Sequence, residues 1–180
     1  ENNTSIIICG KNHLPNGMFL NLNSHHIQQE IFKNQIEASV PLKKQLWQQT
    51  IIEKITNQGI LLEKITGEKN SFDFIASKVL SGDTSNMEAT AANIYWKAFF
   101  ENSTFKKFKR ERFGDYPNNF LNYGYAILRA ATARALSGSG LLNTLGIHHK
   151  SKYNAFALAD DIMEPFRPMV DEKVFEIINQ

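Results

Sequence analysis

From His25 to the carboxyl end, apolar residues recur at three- and four-residue intervals, interrupted only by glycines, prolines and short polar turns. Most of this chain can therefore fold only as packed amphipathic helices. The first stretch differs: SIIICGKNHLPNGMFLNL carries two apolar runs either side of Pro15-Asn16-Gly17, and an Asn-Gly step is a strong hairpin signal. Two strands turning at Asn16-Gly17 are expected there. A two-stranded ribbon is marginal in water, which implies partner strands upstream of Glu1. The expected fold class is mainly α, a multi-helix domain preceded by a β-hairpin left from an N-terminal β-domain. Its divisions are 1–23 for the end of that β-domain, 24–40 for a linker and 41–180 for the helical domain.

Within the helical part, Pro41 suits a first helical position, and Leu42, Leu46, Ile52 and Ile55 follow at near-helical spacing until Gly59 interrupts. Further helices are expected over 71–80, 85–101, 119–136 and 154–178, with Ser137-Gly138-Ser139-Gly140 ending one of them. With 180 residues, 42% of them hydrophobic, the chain can bury the core of one domain. No apolar run is long enough for a membrane span or a signal peptide. The single Cys9 cannot form an internal disulfide, and in the run Ile6-Ile7-Ile8-Cys9 it is expected to be a buried thiol in a reducing, cytoplasmic setting.

A net charge of +2 is too small to argue for nucleic acid, so its distribution has to. FKKFKRERF, residues 105–113, sets Lys106, Lys107, Lys109, Arg110 and Arg112 against one acid, Glu111. Such a cluster suits a phosphate backbone, though a solvated amphipathic face explains it as well. In SNMEATAANIYWKAFF, a helix from Ser85 puts Glu88, Ala92, Tyr95 and Phe99 in one stripe and turns Glu88 inward; alternatively Ser85-x-x-Glu88 is a capping box. In GIHHKSKYNAFALADDIMEPFRP, a His pair precedes a helix on which Asp161 and Glu164 share a face, and Pro165 predicts a kink. A loop histidine folded beside that face would give mixed nitrogen and oxygen ligation, suited to Mn²⁺ or Mg²⁺. The plainer reading pairs Glu164 with Arg167 and leaves Asp160, Asp161 and His148 at the surface. Asn122, Tyr123 and Arg129 are the polar members of the core-building NNFLNYGYAILRAATARAL. There is no GxGxxG, Walker loop, GxSxG or paired CxxC.

Taken together, SNMEATAANIYW, NNFLNYGYAILRAATARAL and LGIHHKSKYNAFALADDIMEPFRP, with HLPNG and PLKKQLWQQTIIEKITNQ, make the chain resemble the CRISPR-associated integrases. These are the DNase subunits that insert spacers into CRISPR arrays, in the subtype found beside a single-protein effector nuclease. The resemblance implies a helical catalytic domain with Glu88, His149 and Glu164 as ligands of Mn²⁺ or Mg²⁺, and His149 rather than His148 because it is the second of the pair. Asp161 corresponds to an additional acid. The resemblance also implies a β-rich N-terminal domain that is mostly absent here, a homodimer of the full-length protein and a small second adaptation protein as partner. The implied reaction is attack of a DNA 3′-hydroxyl, or of water, on a phosphodiester. Lys106, Lys107, Lys109, Arg110 and Arg112, with Lys54, Asn57 and Tyr123, are the candidates for holding DNA. The alternatives are a non-catalytic helical scaffold that binds DNA or protein, and a metal-dependent hydrolase of another substrate.

Overall fold

The computed structural model of the protein describes residues 6–11, 15–19, 25–105, 110–111 and 114–179. Strands β1 (Ile6–Cys9) and β2 (Pro15–Phe19) pair antiparallel. Among the described residues the helices are α1 (Gln28–Glu37), α2 (Val40–Thr66), α3 (Phe72–Ser77), α4 (Met87–Glu101), α5 (Asn118–Gly138), α6 (Ala157–Ile162) and α7 (Arg167–Ile178), with 3-10 turns at Ser81–Asp83 and Glu164–Phe166. The mainly α fold expected from periodicity is what forms.

The hairpin departs from expectation in its turn. Gly17 faces Ile8 and Pro15 faces Cys9, so Asn16-Gly17 lies within β2 and is not the turn. Two strands are too narrow to enclose their own apolar side chains. Ile6 and Ile8 are exposed, and Cys9 is an exposed free thiol, not the buried one its apolar run suggested.

Helix α2 is the axis of the assembly. Ser39 caps it by accepting a hydrogen bond from the Leu42 amide, Pro41 stands in its first turn, and Gly67 ends it at φ 72° with its N–H donating to the Glu63 carbonyl. Its 27 residues make a rod of about 40 Å. The buried stripe is Trp47, Ile51, Ile55 and Leu62. Leu42 and Leu46, expected on that stripe, lie one position off it and are exposed. Nor does Gly59 interrupt the helix: a Cβ there would stand 2.6 Å from the Phe72 Cβ, and Asn70 Nδ2 donates to the Gly59 carbonyl at 2.7 Å. The helical cost of one glycine, about 1 kcal/mol, is outweighed by seating α3 against α2.

Residues 24–40, expected as a linker, contain α1. Gln35 ties it down, donating to the Leu142 carbonyl at 2.9 Å and accepting from the Leu142 amide at 2.8 Å. Helix α4 contributes Ala91, Tyr95, Phe99 and Phe100 to the core, where the Phe99 ring meets Phe175 of α7 edge-on at 5.2 Å. The expected helix over 154–178 is broken. Its Pro165 kink becomes the 3-10 turn at Glu164–Phe166, and a new helix begins at Arg167 with Pro168 in its first turn. No helix among the described residues is long and apolar enough to cross a membrane.

Candidate active site

Glu88 is freed from capping by its neighbours. The Asp83 carboxylate accepts from the Met87 and Glu88 amides at 2.9 and 3.0 Å, while Ser85 Oγ donates to the Lys78 carbonyl and accepts from the Leu80 amide. The Ser85-x-x-Glu88 capping box is therefore not formed, and the Glu88 side chain turns towards α2. There Lys54 sits on the buried stripe, one helical turn from Ile51 and beside Ile55, its side chain 11% exposed. Its ammonium lies 2.6 Å from Glu88 Oε1 and 2.6 Å from Glu164 Oε2. Two carboxylates far apart in sequence thus share one cation.

The 3-10 turn presents Glu164 to that cation. Asn57, one turn beyond Lys54, donates to the Pro165 carbonyl at 2.8 Å and fixes the turn against α2. Arg167 Nη2 stands 2.8 Å from Glu164 Oε1, so the expected i,i+3 pair exists, on the other oxygen. Glu164 Oε2 is buried and accepts no well-aligned hydrogen bond, despite its closeness to the ammonium.

Asp161, fully buried, organises the histidine loop. Its Oδ2 accepts from the Ile147 and His148 amides at 2.6 and 2.9 Å, and its Oδ1 accepts from the His149 amide at 3.2 Å and lies 2.5 Å from His149 Nδ1. The backbone wraps the carboxylate closely enough that a Cβ at Gly146 would meet Asp161 Oδ2 at 2.9 Å and press into the His149 carbonyl. The hydrogen bond to Asp161 is the main reason the His149 pKa lies above its ordinary 6.5, opposed by partial burial. When the ring is neutral, Nδ1 carries the proton towards Asp161 and Nε2 keeps a lone pair. His148 instead stacks on Trp47, ring centroids 4.2 Å apart. Trp47 meets the edge of His149 at 6.0 Å. Asp160 faces inward, accepting from Asn154 Nδ2 at 2.7 Å and pairing with Arg129, so it is not the surface acid of the plainer reading.

Beside this cluster lies a buried polar knot. Asp171, 1% exposed, accepts from the Tyr95 hydroxyl at 2.8 Å and from the Tyr125 hydroxyl, and the Arg167 guanidinium lies over the Tyr125 ring at 4.7 Å. Burial raises the Asp171 pKa from 3.8 to about 6, partly offset by the two tyrosines and by Arg167 and Arg110. Arg167 therefore links Glu164 to this knot.

The candidates for DNA contact separate. Lys54 and Asn57 point inward, to the carboxylates and to the Pro165 carbonyl. Arg110 is half-buried and donates to Asn118 Oδ1 and Asn122 Oδ1 at 2.8 Å each. Tyr123 is exposed. Lys106, Lys107, Lys109 and Arg112 lie outside the described residues. A cleft of about 430 Å³ opens at His149, lined by Lys43, Lys150, Lys152, Tyr153 and Asn154. Its lysines come from two segments far apart in sequence, Lys43 from the start of α2 and Lys150 and Lys152 from the loop before α6, so no single basic run marks them.

As the side chains stand, among the described residues no three His, Cys, Asp or Glu groups lie close enough to share one ion. Glu88 and Glu164 converge on Lys54, and His149 is held separately by Asp161.

The site thus sets acids from two separate elements on one buried cation, beside an aspartate-held histidine. The solved structure of a casposase bound to integration product shares the fold at TM-score 0.70 and 25% identity, covering 97% of this chain and 53% of that one. A Cas6-RT-Cas1–Cas2 complex matches at TM-score 0.74 and 25% identity over 97% of this chain and 21% of that one. The CRISPR-associated endonuclease Cas1 of Neisseria meningitidis serogroup C is 41% identical over 182 aligned residues, taking in 100% of this chain and 58% of that protein. The family model for CRISPR associated protein Cas1 matches residues 1–180, and the chain belongs to that family. It spans little more than half the length of the Neisseria relative.

Proposed function

We propose that this chain carries the catalytic centre of a metal-dependent DNA endonuclease and integrase, which joins spacer DNA to a CRISPR array by attack of a 3′-hydroxyl on a phosphodiester. The observation that carries the reading is the convergence of Glu88 and Glu164, from α4 and the turn before α7, on a single cation position. The donor types suit a divalent ion once the three side chains draw together: Glu88 and Glu164 supply carboxylate oxygens from one cation position, and His149 offers Nε2 while Asp161 holds Nδ1. Glu88, Glu164 and His149 would hold Mn²⁺ or Mg²⁺, with Asp161 orienting the imidazole. Bound there, the ion would supply Lewis-acid polarisation of a phosphate oxygen and neutralise developing charge.

The chain's own residues do the rest. Asp161 fixes the imidazole tautomer, and Asn57 and Arg167 hold the Glu164 turn. Lys43, Lys150 and Lys152, in the cleft at His149, set a positive rim along which a phosphate backbone is guided towards the carboxylates. No Ser or Cys nucleophile is required, because the attacking oxygen belongs to DNA or water. Assembly of the whole protein as a homodimer with a small Cas2-type partner is part of the same reading, supported by the likeness to a Cas1–Cas2 complex. Glu88→Ala is expected to abolish Mn²⁺-dependent joining and cleavage of branched DNA while the circular dichroism spectrum stays helical. Full activity in that variant would remove the proposal's footing.

A further inference from the structure

Lys54 is an unusual neighbour for a divalent cation. It is a lysine on the apolar stripe of the central helix, nine-tenths buried, with its charge spent on two carboxylates instead of on water. An ordinary surface lysine at 2.6 Å from an acid costs little to remove, but here one ammonium joins two acids, of which only Glu164 has a second cation, Arg167.

We infer that Lys54 is a built-in competitor for the metal: its ammonium occupies the carboxylate position that a divalent ion must take, and so it sets the affinity of the site. The inference rests on the proposed function and deepens it. An ion held by Glu88 and Glu164 would have to break the contacts of the ammonium or accept a like charge close by. Either way the lysine subtracts from binding. Without it, Glu88 loses its ammonium partner and Glu164 keeps only Arg167, which raises the gain on bringing a second cation to the pair. Both effects have the same sign. The stem of Lys54 leaves room for this exchange, since a four-carbon chain can swing its head aside while its methylenes stay packed.

The test is calorimetric titration with MnCl₂ alone, on the full chain, in wild type, Lys54→Met, Lys54→Arg and Glu88→Gln. Lys54→Met keeps the stem and removes the charge; Lys54→Arg keeps the charge. Lys54→Met is expected to bind Mn²⁺ at least about tenfold tighter than wild type, and Lys54→Arg to stay within about threefold of it. A cooperative thermal transition with a Mn²⁺-dependent upward shift, larger in Lys54→Met than in wild type, gives a readout independent of catalysis. Should Lys54→Met fail to fold, Lys54→Gln, polar and equally uncharged, carries the same expectation. Saturable wild-type binding, lost in Glu88→Gln but unchanged or weakened in Lys54→Met, overturns the inference and leaves the metal site standing. Binding by neither wild type nor Lys54→Met overturns both.

Discussion

Replacing Asp171 with asparagine isolates the energetics of the knot behind the site. The carboxylate is fully buried, and loss of hydration is the largest influence on it, lifting its pKa from 3.8 to about 6 against the pull of the two tyrosine hydroxyls and of Arg167 and Arg110. At about 1.4 kcal/mol per pH unit, that rise corresponds to ~3 kcal/mol. The sign follows from proton counting. Between pH 4 and pH 6 the folded protein holds a proton on Asp171 that the unfolded chain has released, so folding stability falls as pH rises through this window and is level above it. Asparagine is neutral throughout. Urea unfolding of wild type and Asp171→Asn at pH 3.5, 5 and 7 should therefore show the variant gaining on wild type by ~3 kcal/mol from the lowest pH to the highest, whatever constant offset the altered hydrogen bonds add. A difference that stays flat with pH, or wild type gaining on the variant, would mean that the tyrosines and arginines fully repay the charge, and the reasoning would fail.

Further outcomes follow from the packing and the histidine loop. Gly59→Ala should destabilise the protein by roughly 1–3 kcal/mol in thermal or urea unfolding, because the added Cβ collides with the Phe72 Cβ; an unchanged midpoint would contradict the close seating of α3. Asp161→Asn should bring the His149 pKa down, since the hydrogen bond that His149 donates to Asp161 is the largest influence raising it, as proton NMR titration of the metal-free protein would record. That pairing stabilises the wild type fully below pH 6.5 and is lost as pH rises through the higher folded value, a dependence Asp161→Asn should erase.

Much of the helical layout is legible in the sequence, because a 3.6-residue period survives wherever one face of a helix is buried. The four expected helices over 71–80, 85–101, 119–136 and 154–178 all have counterparts, and Pro165 announces the break beside Glu164. Gly59 misled because helix propensity is a local quantity, while the gain from approaching Phe72 is a tertiary one. Asn16-Gly17 misled in the same way: turn preference yielded to the register of β1 and β2.

The acids and imidazole of the candidate site can be picked out from the sequence, but not their contacts. Glu88 stands out as an acid on the stripe of Tyr95 and Phe99, and the same signal was present in Lys54, set among Trp47, Ile51 and Ile55, and in Asp171, set among Val174 and Ile178. A charged residue on an apolar stripe has to find a partner, but spacing does not say which one. That Lys54 would join Glu88 to Glu164, or that Asp171 would collect Tyr95 and Tyr125, depends on how α2, α4, α5 and α7 cross.

The proposed catalytic centre requires one ion among three side chains. Anomalous diffraction from crystals of the protein grown with Mn²⁺ reads that directly. The expected result is a single strong peak bonded to Glu88, Glu164 and His149 Nε2, with the Lys54 ammonium moved off at least one carboxylate. A peak bound elsewhere, with the ammonium still seated between Glu88 and Glu164, would contradict the account.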